Sequence, residues 1–199
     1  MATYNIGYFV GSLSSTSINR TLSRALIKLA PDTLSFNEIP IKDLPLYSQD
    51  YDESYPAEGT ALKQSIEASD GLLIISPEYN RSIPGALKNA IDWASRPWGT
   101  NSFARKPTGL IGASPGAIGT AVMQSNMRSV LSFLDAPQLN SPEAYLSFNP
   151  ETFSDDGTIN DDSTREFLQH YMDEYVAFVQ RVLDANAAGH IGDPNSPAK

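Results

Sequence analysis

The run Gly71–Ile75, GLLII, constrains this 199-residue chain more than any other segment. It has no polar side chain and is bounded by Asp70 and Ser76. A half-exposed strand alternates apolar and polar residues; a continuous apolar run belongs to a central parallel strand covered on both faces. The rest of the chain supplies the cover. Tyr4–Val10 reads as a first strand ended by Gly11, and Asn19–Leu29 as a helix with Leu22, Leu26 and Leu29 on one face, stopped by Pro31. Leu34–Glu38 reads as a second strand. Residues 39–58, with Pro40, Pro45 and Pro56, read as loop, and Ala61–Ala68 as a short helix. After the apolar run, Pro84 opens a helix continued by Ala86–Trp93. Thr108–Ile111 gives a fourth strand, Ala121–Leu134 a long helix and Leu139–Ser141 a fifth strand. Thr164–Leu183 closes the domain as a helix with Phe167, Tyr171, Tyr175, Phe178 and Val182 as its core stripe. Residues 1–185 therefore form one domain, and 186–199 read as a disordered tail. Strand and helix alternating in this way predict a three-layer α/β/α sandwich. With right-handed crossovers, the expected five-stranded parallel sheet has the order 2-1-3-4-5. Its ligand crevice opens where the first and third strands part, at their carboxyl ends.

Composition removes several classes of function. The chain has no cysteine, which excludes disulfides, thiolate nucleophiles, iron–sulfur clusters and cysteine zinc sites. With His170 and His190 as its only histidines, it is poorly supplied for a metal site on imidazole. A formal net charge of −9 argues against nucleic acid as a partner. No apolar run approaches the ~20 residues that cross a bilayer. The start, MATYNIGYFVGS, enters a strand without a basic leader, so the expected location is the cytoplasm.

In the expected topology the loops after strands one, three and four share one crevice, and these are the segments of least ordinary composition. The first, GSLSSTSIN, carries hydroxyls on five of the eight residues after Gly11 and leads into a helix N-terminus, a natural anion site. Ser12, Ser17 and the amide of Asn19 are candidate ligands for a terminal phosphate; Ser17 is equally a plain helix cap. Neither G-x-x-x-x-G-K-[ST] nor G-x-G-x-x-G is present, so a single phosphate suits this loop better than a P-loop or dinucleotide reading. The second, SPEYNRSIPGALKNAIDW, offers main-chain donors and a ring over Glu78–Asn80, as a planar heterocycle requires; the plain alternative is a strand-to-helix turn. The third, GASPGAIG, contains a literal G-x-S-x-G around Ser114. Pro115 rules out the hydrolase reading, because the residue after the nucleophile must give its N–H to the oxyanion hole. Gly112, Gly116 and Gly119 suit close approach of backbone to a flat ligand instead.

These three segments, GSLSSTSIN, SPEYNRSIPGALKNAIDW and KPTGLIGASPGAIG, resemble the NADPH-dependent FMN reductase family, which includes bacterial NAD(P)H:quinone reductases also described as chromate or azo-dye reductases. The resemblance runs from about Ile6 to Pro142, with PEYN…PG.LKNA.DW as its most specific part. It implies a flavodoxin-like fold and non-covalent FMN, with NADPH or NADH as electron donor. The family's phosphate loop falls on Ser12, Leu13, Ser14, Ser17, Ile18 and Asn19, and its isoalloxazine loop on Pro77, Glu78, Tyr79 and Asn80. Ser114 and Gly116 border the other edge of the ring, and the resemblance implies a homodimer or homotetramer. One departure stands out: the family often has an arginine at the position of Ser14, where it pairs with the phosphate. Arg20, one turn into the helix, is the candidate replacement.

The expected chemistry is FMN-dependent hydride transfer from NAD(P)H to quinones or other small acceptors (chromate, azo compounds, free flavin) by a ping-pong scheme. The cofactor carries the reaction and no side chain need act as acid or base. Arg81, just past the second loop, is a candidate for attracting an anionic donor or acceptor, or else an exposed loop residue. Two rivals are weighed: a flavodoxin-like electron-carrier module, suited by the acidity of the chain, and a serine hydrolase using Ser114, an aspartate and His170, against which Pro115 already counts.

Overall fold

A computed structural model describes residues 3–188. Its strands are β1 (Tyr4–Val10), β2 (Leu34–Glu38), β3 (Gly71–Ile75), β4 (Thr108–Ser114) and β5 (Tyr145–Ser147). Its helices are α1 (Ile18–Leu29), α2 (Ala57–Glu67), α3 (Gly85–Ala94), α4 (Ala121–Phe133) and α5 (Asp162–Ala187). The five strands form one sheet of order β2-β1-β3-β4-β5, parallel at every pairing. All five residues of β3 are buried, and they alternate between two cores. Leu73 and Ile75 pack with Leu22 and Leu26 of α1 and Leu168, Tyr171 and Tyr175 of α5. Leu72 and Ile74 pack with Leu62, Leu87, Ile91, Trp93, Met123 and Met127 of α2, α3 and α4. The apolar run has no polar face because a helical layer covers each side.

Three elements depart from the sequence reading. The fifth strand is Tyr145–Ser147, paired with Gly112–Ser114, and not Leu139–Ser141. The earlier stretch meets β4 at its start: Gln138, just before it, bridges Thr108, and Leu139 N–H donates to Thr108 O at 3.1 Å. Pro137 and Pro142 flank it and have no N–H to give a ladder. α2 begins at Ala57, inside the stretch read as loop, with Pro56 at its N-cap. Gly59 there lies under the Trp93 indole, where an added Cβ would stand 2.9 Å from the ring, so the glycine that looks like loop composition serves helix packing. α5 runs on to Ala187, and Asn186, read as the start of a tail, donates from its side chain to the Arg105 carbonyl. The expected tail beyond residue 188 lies outside the described residues. Among the described residues no helix is long and apolar enough to cross a membrane.

Candidate functional site

The main-chain ladder continues past the ends of β1, β3 and β4. Gly11 N–H donates to Ile75 O at 2.8 Å, and Ser76 N–H to Ile111 O at 3.1 Å. The three loops therefore leave the sheet at one level. Gly112 is required by this packing, since an added Cβ would stand 2.1 Å from the Ser76 carbonyl oxygen and 2.6 Å from Thr120 Oγ1. Gly116 faces open space, with Ser114 Oγ the nearest atom at 3.6 Å. Of the glycines expected to admit a ligand, Gly112 is thus spent on the strand ends, and Gly116 is the one left facing outward.

Between the loops lies an open cleft of about 210 Å³. It is lined by Ser12, Ser14, Ser17, Ile18 and Asn19 from the first loop, Pro77, Glu78 and Tyr79 from the second, and Ala113, Ser114 and Pro115 from the third. Leu13, Asn80 and Gly116 do not line it. Leu13 is exposed on the rim, and Asn80 occupies the tip of a turn. Ala113 and Pro115 were missed by the sequence reading; their place beside Ser114 at the end of β4 is the signal that could have found them.

The first wall is built for an anion. Ser17 occupies the N-cap position of α1, yet its side chain accepts no hydrogen bond from the helix. The capping alternative therefore does not hold, and Ile18 and Asn19, whose N–H groups come before the first bond of the helix from Arg20 N–H to Ser17 O, both line the cleft. The hydroxyls before it order one another: Ser12 Oγ accepts from Ser14 N–H at 3.3 Å, and Ser14 Oγ accepts from Thr16 N–H at 3.3 Å. Asn19 behaves differently from the expectation. It is fully buried, its Nδ2 donates to Ala113 O at 2.9 Å and its Oδ1 accepts from Ala113 N–H at 2.9 Å. Its amide is thus committed to tying α1 to the end of β4. Arg20 is committed as well: Nη1 contacts both carboxylate oxygens of Glu38, at 3.0 and 2.9 Å, and it does not line the cleft. That hydrogen-bonded pairing raises the guanidinium's pKa further.

The second wall is a tight turn. Tyr79 and Ser82 exchange main-chain hydrogen bonds of 3.1 and 2.9 Å, and Asn80 and Arg81 between them have φ of 51° and 61°. The half-exposed Tyr79 ring leans toward the first loop, its hydroxyl 3.4 Å from Ser12 Oγ. Glu78 is turned inward, with its side chain 6% exposed, and pairs with Arg81, whose side chain is 67% exposed. On the third wall, Ser114 Oγ accepts the Gly116 N–H at 3.2 Å. His170 is exposed on α5 and absent from the cleft lining, so among the described residues Ser114 has no histidine base there. On the elements beside the crevice, Trp93, Met123 and Met127 are fully buried, while Trp98 is exposed.

Residues 4–151 match the family described as NADPH-dependent FMN reductase. A 2-hydroxy-1,4-benzoquinone reductase from Burkholderia is 50% identical over 88% of this chain and 96% of its own. A quinone reductase of Pseudomonas putida is 44% identical over 89% of this chain and 95% of its own. Among solved structures, the flavoenzyme NAD(P)H:(acceptor) oxidoreductase FerB from Paracoccus denitrificans superposes with a TM-score of 0.87 at 41% identity, covering 90% of this chain and 98% of that one.

Proposed function

The chain belongs to the NADPH-dependent FMN reductase family, and from that premise we propose that its cleft holds FMN and that it passes electrons from NAD(P)H to quinones. The observation that carries the cleft assignment is the start of α1: a helix N-terminus whose N-cap serine leaves the helix donors open, in a wall of hydroxyls. A phosphate monoester is the ligand this arrangement suits, because oriented N–H groups and the helix dipole both favour negative charge. Ser12, Ser14 and Ser17 with the main chain at Ile18 and Asn19 hold the phosphate. The main chain of Pro77–Asn80 meets one edge of the flat ring, and Ser114 with Gly116 borders the other. When bound, FMN supplies the chemistry, taking hydride from a reduced nicotinamide and returning electrons to an acceptor.

The residues of this chain orient and neutralise. Open N–H groups at α1 take up phosphate charge without an arginine at position 14. The second loop offers donors where charge grows on reduction. A nicotinamide and then a quinone take one slot on the exposed face of the bound ring in turn, which predicts parallel-line ping-pong kinetics. Quinones are the preferred acceptor class because the relatives named for a quinone cover nearly the whole chain. Arg81, largely exposed at the mouth of the cleft, attracts the anionic donor.

The protein acts as a homo-oligomer in the cytoplasm, where reduced pyridine nucleotide is plentiful. Trp98 and Phe133, exposed by 76% and 70% with ring centroids 6.4 Å apart, support self-association. Phe133 also lines a cavity of about 300 Å³ together with Ile91, Val130 and Leu134, with Lys88, Asp92 and Arg96 around it. The test is steady-state NADPH oxidation by FMN-loaded protein with 1,4-benzoquinone. Parallel double-reciprocal lines, with Arg81→Ala raising KM for NADPH and not for quinone, support the proposal. Bound FMN with no NAD(P)H oxidation would leave only an electron carrier.

A further inference from the structure

α4 starts without a cap of its own. Thr120 stands at its N-cap position with no side-chain hydrogen bond to the helix, and the first turn holds no acidic residue. The first N–H groups of a helix need an acceptor, and here it comes from across the cleft. Glu78 Oε2 accepts from Val122 N–H at 3.0 Å and from Met123 N–H at 2.9 Å, while Oε1 accepts from Arg81 Nη1 at 3.1 Å. A carboxylate of the β3–α3 loop thus caps the helix that follows β4. About one turn further on, Asn126 Nδ2 donates to Arg81 O at 3.2 Å and to Ser82 Oγ at 3.3 Å. The turn so held is a costly one, since Arg81 at φ 61° lies where side-chain-bearing residues are disfavoured. Such a conformation persists only where its surroundings over-determine it, and two ties to α4 do so, one through Glu78 of the turn's own loop and one through Asn126 of the helix.

Resting on the reading that this cleft holds FMN, we propose that Glu78 is a positioning residue. By capping α4 from the opposite wall, it fixes the main chain of Tyr79 and Asn80 relative to the third loop and so holds the two sides of the slot in register. The dipole of α4 and the Arg81 guanidinium neutralise its charge, so a carboxylate in the wall does not repel an anionic ligand. The latch is a property of two loops together, which separates it from ordinary helix stabilisation.

That separation gives the test. Glu78→Ala, Glu78→Gln and the double variant Glu78→Ala/Ala121→Asp are compared with the parent chain. Ala121→Asp restores an acid to the first turn of α4 without spanning the cleft. Three quantities are read: the melting temperature of flavin-free protein, the FMN Kd by fluorescence quenching, and kcat and KM with NADPH and benzoquinone. The expected result is that Glu78→Ala lowers the melting temperature and the double variant regains it. FMN affinity in both stays about tenfold weaker than in the parent, the size of one lost charge-assisted hydrogen bond, and kcat falls. Glu78→Gln, which keeps an acceptor for α4, retains most of the affinity. Recovery of FMN affinity together with melting temperature in the double variant overturns the proposal, because Glu78 would then act only as a helix cap. Loss in Glu78→Gln as deep as in Glu78→Ala overturns it too, by assigning the effect to charge. Failure of the parent chain to bind FMN overturns the cleft assignment itself, a result visible before any variant is made.

Discussion

Asn19 and Arg81 show how single residues hold the cleft, and each makes a prediction. Asn19 is buried with both amide atoms bonded to the main chain of Ala113, so truncation strands a buried donor and a buried acceptor. Asn19→Ala should therefore destabilise the protein by about 2–6 kcal/mol, each orphaned group costing ~1–3 kcal/mol, read as a lower urea midpoint. An unchanged midpoint would mean that water replaces the amide. Arg81 poses a competition. Its left-handed backbone costs about 1–2 kcal/mol in a residue with a Cβ, whereas an ion pair whose cation is largely exposed contributes at most ~1 kcal/mol, and the Glu78 carboxylate keeps its α4 donors without it. Arg81→Gly should leave the urea midpoint unchanged or raise it, and Arg81→Ala, which keeps the strain and loses the pair, should lower it. The reverse order would show that the Glu78 pair outweighs the strain.

At the scale of elements, α5 is pinned where it begins. Asp161 caps it by accepting from Thr164 N–H at 2.7 Å, and bonds from Thr164 and then Ser163 hold the Asp161 carboxyl below the usual carboxylate range. A carboxyl depressed in the folded state contributes stability that is present above its unfolded value, near 3.9, and lost as pH falls through the folded one. The urea midpoint should therefore decline more steeply below about pH 4 in the parent chain than in Asp161→Asn; equal slopes would remove the cap from the acid limb. The same scale shows what could be read in the sequence. β1, β2 and β3 were legible to the residue because runs buried on both faces, or ended by Gly and Pro, follow from local chemistry. β5 and the start of α2 were not, because Gln138 and Gly59 take their meaning from Thr108 and Trp93, distant partners invisible to a local pattern. The site divides in the same way. A loop rich in hydroxyls before a helix is a local signal, and the cleft lining includes Ser12, Ser14 and Ser17. That the Asn19 amide faces Ala113, that Arg20 is spent on Glu38 and that Glu78 caps a helix 44 residues on could be known only after folding.

At the scale of the whole molecule, two phenols are sealed between α5 and the sheet. Burial pushes the hydroxyl pKa of Tyr175 well above its ordinary value, and that of Tyr171 likewise. A group raised in the folded state contributes stability that is complete below the unfolded value, near 10, and lost as pH rises toward the folded one, so unfolding should set in on the alkaline side. The two tyrosines differ in bonding. Tyr175 donates to Leu72 O at 2.9 Å, while the Tyr171 hydroxyl makes no well-formed hydrogen bond. At neutral pH Tyr175→Phe should cost about 1 kcal/mol and Tyr171→Phe close to nothing, and both should move the alkaline transition upward; an unmoved transition would assign it to other groups. The central claim, that three loops gathered by this sheet hold a flavin that reacts with pyridine nucleotide, is tested most directly by the visible absorbance of the purified protein, reconstituted with FMN where needed and titrated anaerobically with NADPH. The account predicts protein-bound flavin bands that bleach with stoichiometric NADPH and return on adding a quinone. Protein that takes up no flavin after reconstitution would contradict it.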